Sequence, residues 1–284
     1  MKKRLSHRLK ENKLLCAMGV YNPLTARLVE ASGFECLYMT GYGVAMGNFA
    51  YPDIGLVTME EMVEVAHRIT DRCSLPLIAD ADTGYGNAVN MIRTVKEYEY
   101  AGVQGIQIED QVFPKRCGHM AGKSLIQKEE MRSKIISAVD SRRLEDTLII
   151  ARTDALAIDG YDAAIERGNL YAEWGADIIF IEAARTQEEV NQIPRDIAAP
   201  TLLNIAPKTP NYSIAEIAQM GYDIAIYPGI TLTASYAACL QELQRFQETG
   251  MQMNLDYWKQ HFNDMNDMVG LASFRELEEK FKLG

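Results

Sequence analysis

The sequence predicts a (β/α)8 barrel, and this prediction rests on three observations. Short apolar runs that end in polar residues or glycine alternate with segments of helical periodicity along most of the 284 residues. The runs are continuously apolar, which is typical of parallel strands buried on both faces. A barrel of this kind accommodates the whole length, residues 1–284, as a single domain.

The predicted strands are eight in number, as a closed barrel requires. They lie at 14–21, 36–40, 75–79, 103–108, 147–151, 176–181, 201–205 and 223–227. An open doubly wound sheet is the alternative architecture. No glycine-rich phosphate loop follows the first predicted strand, which disfavours that alternative.

Helical spacing separates the strands. The predicted helices lie at 23–32, 58–71, 87–101, 128–144, 161–174, 187–197 and 213–220. Gly33, Gly102, Gly175 and Gly221 stand at or just past the ends of four of these segments, where glycine commonly terminates a helix.

The repeat stops after Thr231. A predicted helix at 231–247 is followed by a polar break at 248–254 and then by a stretch rich in methionine and aromatic residues. Such a tail cannot bury its apolar face alone. We expect residues 231–284 either to dock on their own barrel or to pack as an arm on another subunit.

Composition limits the classes of function. With 48% apolar residues the chain can bury a large core, and its net charge of -10 argues against nucleic acid and anionic membranes as partners. The five cysteines include no CxxC pair, so neither a zinc site nor a disulfide framework is indicated. The basic start lacks a following apolar stretch, and no run approaches the roughly 18 apolar residues of a membrane span. We expect an untargeted cytoplasmic protein.

Acidic residues follow several predicted strands, and the carboxyl ends of barrel strands share one face. The polar residues at these ends are Asp80, Asp82, Glu109, Arg152, Glu182 and Asn204, with Asp53 in a nearby turn. Acids without histidine or cysteine ligands suit Mg2+. Single acids at strand ends are often helix caps, and we expect Asp110 and Asp154 to anchor loops. The Asp-Ala-Asp spacing places Asp80 and Asp82 on one strand face and favours a metal site there.

The stretch 113–123, FPKRCGHMAGK, contains a thiol in a basic setting. Cys117 lies among Lys115, Arg116 and His119, and nearby cations favour a thiolate over a thiol. The stretch therefore predicts either an acid-base cysteine or a solvated basic loop with an incidental thiol.

Several strings together resemble the isocitrate lyase and phosphoenolpyruvate mutase superfamily, and within it the short-chain 2-methylisocitrate lyase and dimethylmalate lyase group. The resemblance is carried by ADADTGYGN, IEDQVFPKRCGH, ARTDALAIDGYDAAIER and IFIEA, and it covers residues 38–228. It implies the barrel fold predicted above, a requirement for Mg2+ (with Mn2+ as a substitute), and a small carboxylate substrate. It also implies a homotetramer that exchanges C-terminal helices.

The resemblance also implies roles for the polar residues. Asp82 resembles the direct metal ligand, with Asp53, Asp80 and Glu109 holding metal-bound waters. Lys115, Cys117, Gly118 and His119 lie on what is a mobile gate in the family, with Cys117 supplying a proton to the leaving carbon and Lys115 and His119 supplying charge. Tyr38 resembles the residue that helps to deprotonate the hydroxyl, with a structural tyrosine as the alternative. The implied substrate contacts are Thr40, Gly41, Tyr42, Gly118, Arg152, Glu182 and Asn204.

Two departures from the family pattern bear on the substrate. Thr40 stands where the family usually has serine, which keeps the hydroxyl and adds a methyl group. In the loop NIAPKTPNYS, Pro207 stands where close relatives carry glutamate, and Lys208 and Thr209 follow it. We expect Lys208 or Thr209 to contact a distal carboxylate of the substrate; a solvated loop lysine is the alternative.

These features lead to one hypothesis and its alternatives. The chain is expected to be a Mg2+-dependent carbon-carbon lyase that cleaves a 2-hydroxy di- or tricarboxylate, with 2-methylisocitrate as the first candidate, to pyruvate and a dicarboxylate such as succinate. The alternatives are an oxaloacetate decarboxylase or hydrolase, a phosphonomutase of the same superfamily, and a barrel that binds without catalysis.

Overall fold

The computed structural model describes residues 4–11 and 13–282, and its centre is a closed barrel of parallel strands. The strands are β1 Leu15–Val20, β2 Cys36–Met39, β3 Leu77–Asp80, β4 Gly105–Glu109, β5 Leu148–Thr153, β6 Ile178–Ile181, β7 Thr201–Asn204 and β8 Ile224–Tyr227. Each strand pairs with the next in sequence, and β8 pairs with β1. The predicted barrel and its eight strands are confirmed. The expectation about the basic start falls partly on residues 1–3 and 12, which lie outside the described residues.

Helices surround the barrel and continue beyond it. They are α1 Leu5–Leu9, α2 Pro23–Ala31, α3 Gly41–Phe49, α4 Met59–Arg72, α5 Ala88–Tyr100, α6 Lys128–Ser141, α7 Tyr161–Glu173, α8 Gln187–Asp196, α9 Ile214–Met220, α10 Ile230–Thr249, α11 Leu255–Met268 and α12 Leu271–Lys280. The predicted helices agree with these apart from residues at their ends.

Capping side chains explain where several helices begin. The hydroxyls of Thr58 and Ser213 accept hydrogen bonds from the third backbone N–H of α4 and α9. In both helices the side chain of the glutamate three residues later accepts a hydrogen bond from the backbone N–H of the capping residue. Helix α3 was not predicted, because its sequence GYGVAMGNF contains three glycines, which disfavour a helix. Its start is capped by Thr40, whose hydroxyl accepts a hydrogen bond from the N–H of Gly43 at 3.2 Å.

Alternate strand residues divide between two cores. In β2, Cys36 and Tyr38 belong to the core inside the barrel, whereas Leu37 and Met39 pack under the surrounding helices. Leu5 of α1 is fully buried in the inner core, so the N-terminal helix contributes to it. The same alternation directs the last residue of several strands into the barrel mouth, where polar side chains replace apolar ones.

The C-terminal tail folds as α11 and α12. The end of α11, near the middle of the tail, contacts helix α2 of the same chain. The guanidinium of Arg27 in α2 donates to the carbonyl of Met268, with Nε at 3.0 Å and Nη2 at 2.7 Å. None of the side chains in α11 and α12 is buried, and Trp258 and Phe262 remain about half exposed. This contact is made within one chain, and the choice between docking on the same barrel and packing on another subunit stays a prediction.

Candidate membrane spans are absent from the described residues, since none of their helices is both long and apolar enough to cross a bilayer.

Candidate active site

A cavity of about 680 Å³ opens at the carboxyl ends of the strands. The alternation described above brings predicted site residues from strands far apart in sequence to its wall. Those from the barrel and its short turns are Tyr38, Thr40, Tyr42, Arg152, Glu182 and Asn204. Those from the predicted gate are Lys115, Cys117, Gly118 and His119.

Three of the four acids predicted to hold the metal lie at or beside this cavity, whereas Glu109 does not line it and is buried beside Arg152. Asp53 and Asp80 line the cavity directly, and Asp82 lies next to Asp53 in an adjoining recess. Gly41 packs against Asp80 so closely that a Cβ at that position would lie 2.6 Å from Asp80 Oδ2. The absence of a side chain at Gly41 therefore lets the acid approach the start of α3.

Lys115 of the gate is inserted among these acids. Its Nζ lies 2.6 Å from Asp53 Oδ1 and 2.7 Å from Asp82 Oδ1, and all three side chains are almost completely buried. Burial raises the pKa of Asp82 to about 7, although the Lys115 charge opposes the shift. The backbone of Asp82 has a φ of 47°, a left-handed conformation that is uncommon outside glycine and often marks a functional turn.

Glu109 is the acid with the fewest partners. Neither of its carboxylate oxygens has a hydrogen-bond partner among the described residues, although Arg152 Nη1 lies 3.3 Å from Oε2. Burial raises the pKa of Glu109 well above its usual range. A buried carboxylate that accepts no hydrogen bond is costly, and the nearby Arg152 charge does not offset this cost, since the pKa of Glu109 is still raised.

The donor set fits a hard divalent cation in its chemistry. Asp53, Asp80, Asp82 and Glu109 offer only carboxylate oxygens, which Mg2+ prefers over nitrogen and sulfur. In the described residues these acids do not form a ready group of three or more metal-binding side chains. The Lys115 ammonium supplies the positive charge between Asp53 and Asp82 in this arrangement.

Arg152 is enclosed by three acids. It makes a two-point pair with Asp154, with Nε 3.0 Å from Oδ2 and Nη2 3.1 Å from Oδ1, and its Nη1 faces Glu109 and Glu182. Two of the guanidinium nitrogens of Arg152, an implied substrate contact, are thus bound to Asp154, and Nη1 is the nitrogen that lies between Glu109 and Glu182. Asp154 also pairs with Lys123 of the gate, so its predicted role as a loop anchor is confirmed.

Asp110 has the other predicted anchoring role. Its carboxylate accepts hydrogen bonds from Thr153 Oγ1 and Tyr171 Oη, both at 2.6 Å, and from the N–H of Asp154 at 3.0 Å. Every one of these groups belongs to the barrel wall or to α7. Asp110 is therefore a structural residue, as predicted.

The gate is tied down at both ends. Val112 N–H donates to the Ser124 carbonyl at 2.8 Å, next to an antiparallel bridge between Gln111 and Leu125. At the middle, Gly118 approaches the wall closely, since a Cβ there would lie 2.5 Å from Arg152 Nη2. The segment 113–123 thus covers the acids.

Cys117 corrects one step of the sequence argument. Its N–H donates to the Asp53 carbonyl at 3.1 Å, and its half-buried side chain lines the cavity. Burial raises the pKa of the Cys117 thiol, so the expectation that neighbouring cations favour a thiolate is wrong. Lys115 has its charge directed at Asp53 and Asp82 instead. A protonated thiol facing the cavity is nevertheless the form that can donate a proton.

Tyr38 lies deep in the same cavity. Its hydroxyl donates to Gln107 Oε1 at 3.1 Å, and burial together with the Asp80 charge raises its pKa well above the usual value. In this structure Tyr38 is a neutral phenol that can donate a hydrogen bond. Its role in deprotonating a hydroxyl stays a prediction.

His119, Glu182 and Asn204 form a neighbouring group. His119 Nε2 lies 3.3 Å from Glu182 Oε1, and Asn204 Nδ2 donates to Glu182 Oε2 at 3.1 Å. Burial lowers the pKa of His119 despite the Glu182 charge, so the imidazole is neutral at neutral pH.

Lys208 is the predicted contact that the structure places elsewhere. It is exposed, does not line the cavity, and donates through Nζ to the His119 carbonyl at 2.7 Å. The lysine thus ties the loop after β7 to the gate. Its neighbour Thr209 does line the cavity.

Sequence reasoning missed three polar residues of the cavity wall, which are Asn211, Tyr227 and Thr233. Tyr227 ends β8, so the rule that strand ends face the site could have identified it. Thr233 and Asn211 lie in a helix and a loop without a motif, and nothing in the sequence distinguishes them.

The comparisons with known proteins agree with this geometry. The family model for phosphoenolpyruvate phosphomutase matches residues 5–247. The chain is 43% identical to 2,3-dimethylmalate lyase of Eubacterium barkeri, over 97% of this chain and 96% of the relative. It is 45% identical to 2-methylisocitrate lyase of Aeropyrum pernix, over 94% of this chain and 87% of the relative.

Solved structures are similar in fold and share about a third of their residues with this chain. An oxaloacetate acetylhydrolase in complex with 3,3-difluorooxalacetate superposes with a TM-score of 0.93 at 35% identity, covering 98% of this chain and 96% of the other. A phosphonopyruvate hydrolase in complex with oxalate and Mg2+ superposes with a TM-score of 0.89 at 31% identity, covering 98% and 97%.

Proposed function

The chain belongs to the phosphoenolpyruvate mutase and isocitrate lyase superfamily, and from this membership we propose that it is a Mg2+-dependent carbon-carbon lyase. Its substrate in this proposal is a 2-hydroxy di- or tricarboxylate that is cleaved to pyruvate or a related 2-oxo acid. The first two candidates are 2-methylisocitrate, which gives pyruvate and succinate, and 2,3-dimethylmalate, which gives pyruvate and propionate.

One observation carries the proposal. The Cys117 thiol faces the same cavity as the buried acids and Arg152, and its raised pKa keeps it protonated. A carbon-carbon lyase needs a proton for the carbon that leaves, which a group of this kind can supply.

The reaction can be followed through the residues of this chain. The carboxylate of the 2-oxo acid portion lies near Arg152, whose Nη1 supplies a charge-assisted hydrogen bond. Removal of the 2-hydroxyl proton lets the C2–C3 bond break, with its electron pair passing to C3. The Cys117 thiol then gives its proton to C3, and the gate excludes water from the charged fragment. The hydroxyl proton passes to a carboxylate of the cavity wall, for which Asp80 is our candidate, and the neutral Tyr38 phenol orients the hydroxyl by a hydrogen bond.

Asp82, together with Asp53, Asp80 and Glu109, would hold the Mg2+. When bound, Mg2+ polarises the oxygen on C2 and stabilises the charge that develops there. These residues fit Mg2+ because all of their donor atoms are carboxylate oxygens and because neither oxygen of Glu109 has a hydrogen-bond partner among the described residues.

Pyruvate release tests the proposal. We expect release from 2-methylisocitrate or 2,3-dimethylmalate in the presence of Mg2+, and loss of that release after treatment with EDTA. Cys117→Ser should reduce cleavage by about a hundredfold or more while Mg2+ still raises the melting temperature. Release that persists unchanged in EDTA would contradict the metal requirement.

Oxaloacetate hydrolysis or decarboxylation is the second candidate, favoured by the superposition on oxaloacetate acetylhydrolase. The same assay separates the two. Turnover of oxaloacetate alone, with neither hydroxy acid cleaved, would favour this second candidate over the lyase.

A further inference from the structure

The cavity has a charged side and a neutral side. All charged residues that line it within the described residues come from the chain before β7, and they are Asp53, Asp80, Lys115, Arg152 and Glu182; the neutral His119 lies on the same side. The wall that follows β7 and β8 carries no charge and includes Pro207, Thr209, Asn211, Tyr227, Ile230 and Thr233. Because β7 and β8 are neighbours in the barrel, this neutral side is one continuous sector.

The cations of the charged side are already directed at acids. Lys115 lies between Asp53 and Asp82, and the Arg152 guanidinium lies among Asp154, Glu109 and Glu182. No further lysine or arginine among the described residues lines the cavity. A carboxylate on the neutral side would therefore lose water without gaining a cation, which is unfavourable.

Lys208 is the nearest candidate for such a cation, and its position argues against the role. Its Nζ donates to the His119 carbonyl at 2.7 Å, and the residue does not line the cavity. The neutral side instead offers the hydroxyls of Thr209 and Thr233, the amide of Asn211 and the apolar side chain of Ile230.

The two candidate substrates differ at one position. Both are 2-hydroxy-2-methyl dicarboxylates with a substituent on C3, which is a methyl group in 2,3-dimethylmalate and a carboxymethyl group in 2-methylisocitrate. In the proposed function, Arg152 Nη1 and the Mg2+ held by the acids would meet the two shared carboxylates on the charged side. The substituent on C3 is then the group for which the neutral side must provide a surface.

We propose that the neutral side selects substrates whose C3 substituent is uncharged, so that 2,3-dimethylmalate is preferred over the tricarboxylate 2-methylisocitrate. This inference rests on the proposed function, because it assumes that a 2-hydroxy acid is bound with its reacting end among the acids. It assigns specificity to Thr233, Asn211 and Ile230, for which neither the sequence motifs nor the family match gave a role.

Binding tests the inference without requiring turnover. The probes are 2,3-dimethylsuccinate and butane-1,2,3-tricarboxylate, which are the two candidates without their hydroxyl groups. In calorimetry on the full chain with Mg2+, we expect the dicarboxylate to bind at least about tenfold more tightly. Equal or tighter binding of the tricarboxylate would overturn the inference.

A substitution that adds a cation supplies the second test. Thr233 is exposed at the cavity, so an arginine side chain can be accommodated there. Thr233→Arg should shift the ratio of affinities towards the tricarboxylate by about tenfold or more. Gln241→Arg is the matched control, since it adds the same charge on an exposed face of α10 away from the cavity, and it should leave the ratio unchanged.

Lys208→Met tests the competing source of charge. It should leave the ratio of affinities unchanged. A selective loss of tricarboxylate binding in Lys208→Met would show that Lys208 supplies the missing cation, and it would overturn the inference.

Turnover separates this inference from the proposed function. If pyruvate is released from 2-methylisocitrate with a kcat/KM at least equal to that for 2,3-dimethylmalate, the function stands and the inference fails. If neither is cleaved but the dicarboxylate probe binds more tightly, the preference stands and the lyase proposal fails.

Discussion

Lys115 determines the charge balance of the candidate active site. Its ammonium lies within 2.7 Å of carboxylate oxygens of both Asp53 and Asp82. These are two of the acids that would hold Mg2+. A bound Mg2+ would therefore compete with the Lys115 ammonium for the same negative charge, and at this distance the repulsion between the two cations is large in a buried setting.

Lys115→Met is expected to tighten Mg2+ binding by on the order of tenfold, because it removes the competing cation. The shift of melting temperature with Mg2+ concentration measures this without reference to activity. Lys123→Met is the matched control, since the Lys123 ammonium pairs with Asp154 and not with the acids proposed to hold Mg2+. Weaker Mg2+ binding in Lys115→Met would mean that the ammonium helps to arrange the acids.

Cys117 has a thiol whose pKa is raised by burial, and the sign of that shift fixes its pH dependence. A group that acts as an acid must be protonated, and a raised pKa extends the protonated range to higher pH. We expect kcat for cleavage to show no loss attributable to this group between pH 7 and about 8.5, the ordinary pKa of a thiol. The value of kcat should fall only as the pH rises through the raised pKa of the Cys117 thiol in the folded protein.

Alkylation by iodoacetamide reports the same thiol directly, because only the thiolate reacts. At pH 7.5 the half-buried Cys117 should react more slowly than Cys239, which is exposed and serves as an internal control. Peptide mass spectrometry measures both rates in one sample. Faster alkylation at Cys117 than at Cys239 would indicate a thiolate and contradict the assignment.

At the residue scale, the sequence predicted which acids converge but not how they pair. The period of two along a strand and the shared face of the strand ends place Asp80, Arg152 and Glu182 together. The pairing of Arg152 with Asp154 depends on side-chain directions that no spacing encodes. The raised pKa of Cys117 depends on burial under a folded gate, which the local basic sequence does not reveal.

The gate packs directly against the wall of the cavity. Gly118 is buried, and the atoms nearest to an added Cβ would be Arg152 Nη2 at 2.5 Å and Glu182 Cγ at 2.7 Å. A methyl group there must displace the gate from the wall.

Gly118→Ala is expected to lower kcat/KM by about a hundredfold, since a displacement of about 1 Å at a reacting group has an effect of that size. The melting temperature should change little, because the barrel core is untouched. Ala121→Gly, at an exposed position of the same gate, is the control for loop flexibility and should retain more activity. Activity equal to wild type in Gly118→Ala would contradict the closed position of the gate.

At the element scale, the period of apolar residues predicted the strands and most helices, whereas the glycine-rich sequence of α3 did not reveal a helix. The strands and most helices follow apolar patterns that tertiary packing reinforces. Helix α3 has three glycines in nine residues and forms because Thr40 caps it and Val44 and Ala45 are buried. These contacts come from the rest of the barrel, so local propensity could not predict them.

The whole molecule ends in a tail whose aromatic side chains remain exposed. Trp258, Phe262 and Phe274 are each about half exposed on α11 and α12. Several exposed aromatic side chains on neighbouring helices indicate a surface that binds another protein. We propose that the partner is a second copy of the chain, within a homotetramer that exchanges C-terminal helices.

Light scattering tests this assembly on the full chain. Wild-type protein is expected at a mass of four chains, and the double substitution Trp258→Ser with Phe262→Ser should lower that mass, because it removes apolar area from the tail. Val89→Ser removes an exposed apolar side chain from α5 and should leave the mass unchanged. A single-chain mass for the wild type would contradict the proposal.

The tied ends of the gate have a consequence for engineering. The Gln111 and Leu125 bridge, with the Val112 to Ser124 hydrogen bond beside it, joins the two stems of the loop as a short hairpin joins its strands. The barrel therefore fixes both ends of the gate, and Lys115 and Lys123 also hold its middle to acids of the site. A gate exchanged for that of a relative would have to keep these two lysine contacts in order to close over the same acids.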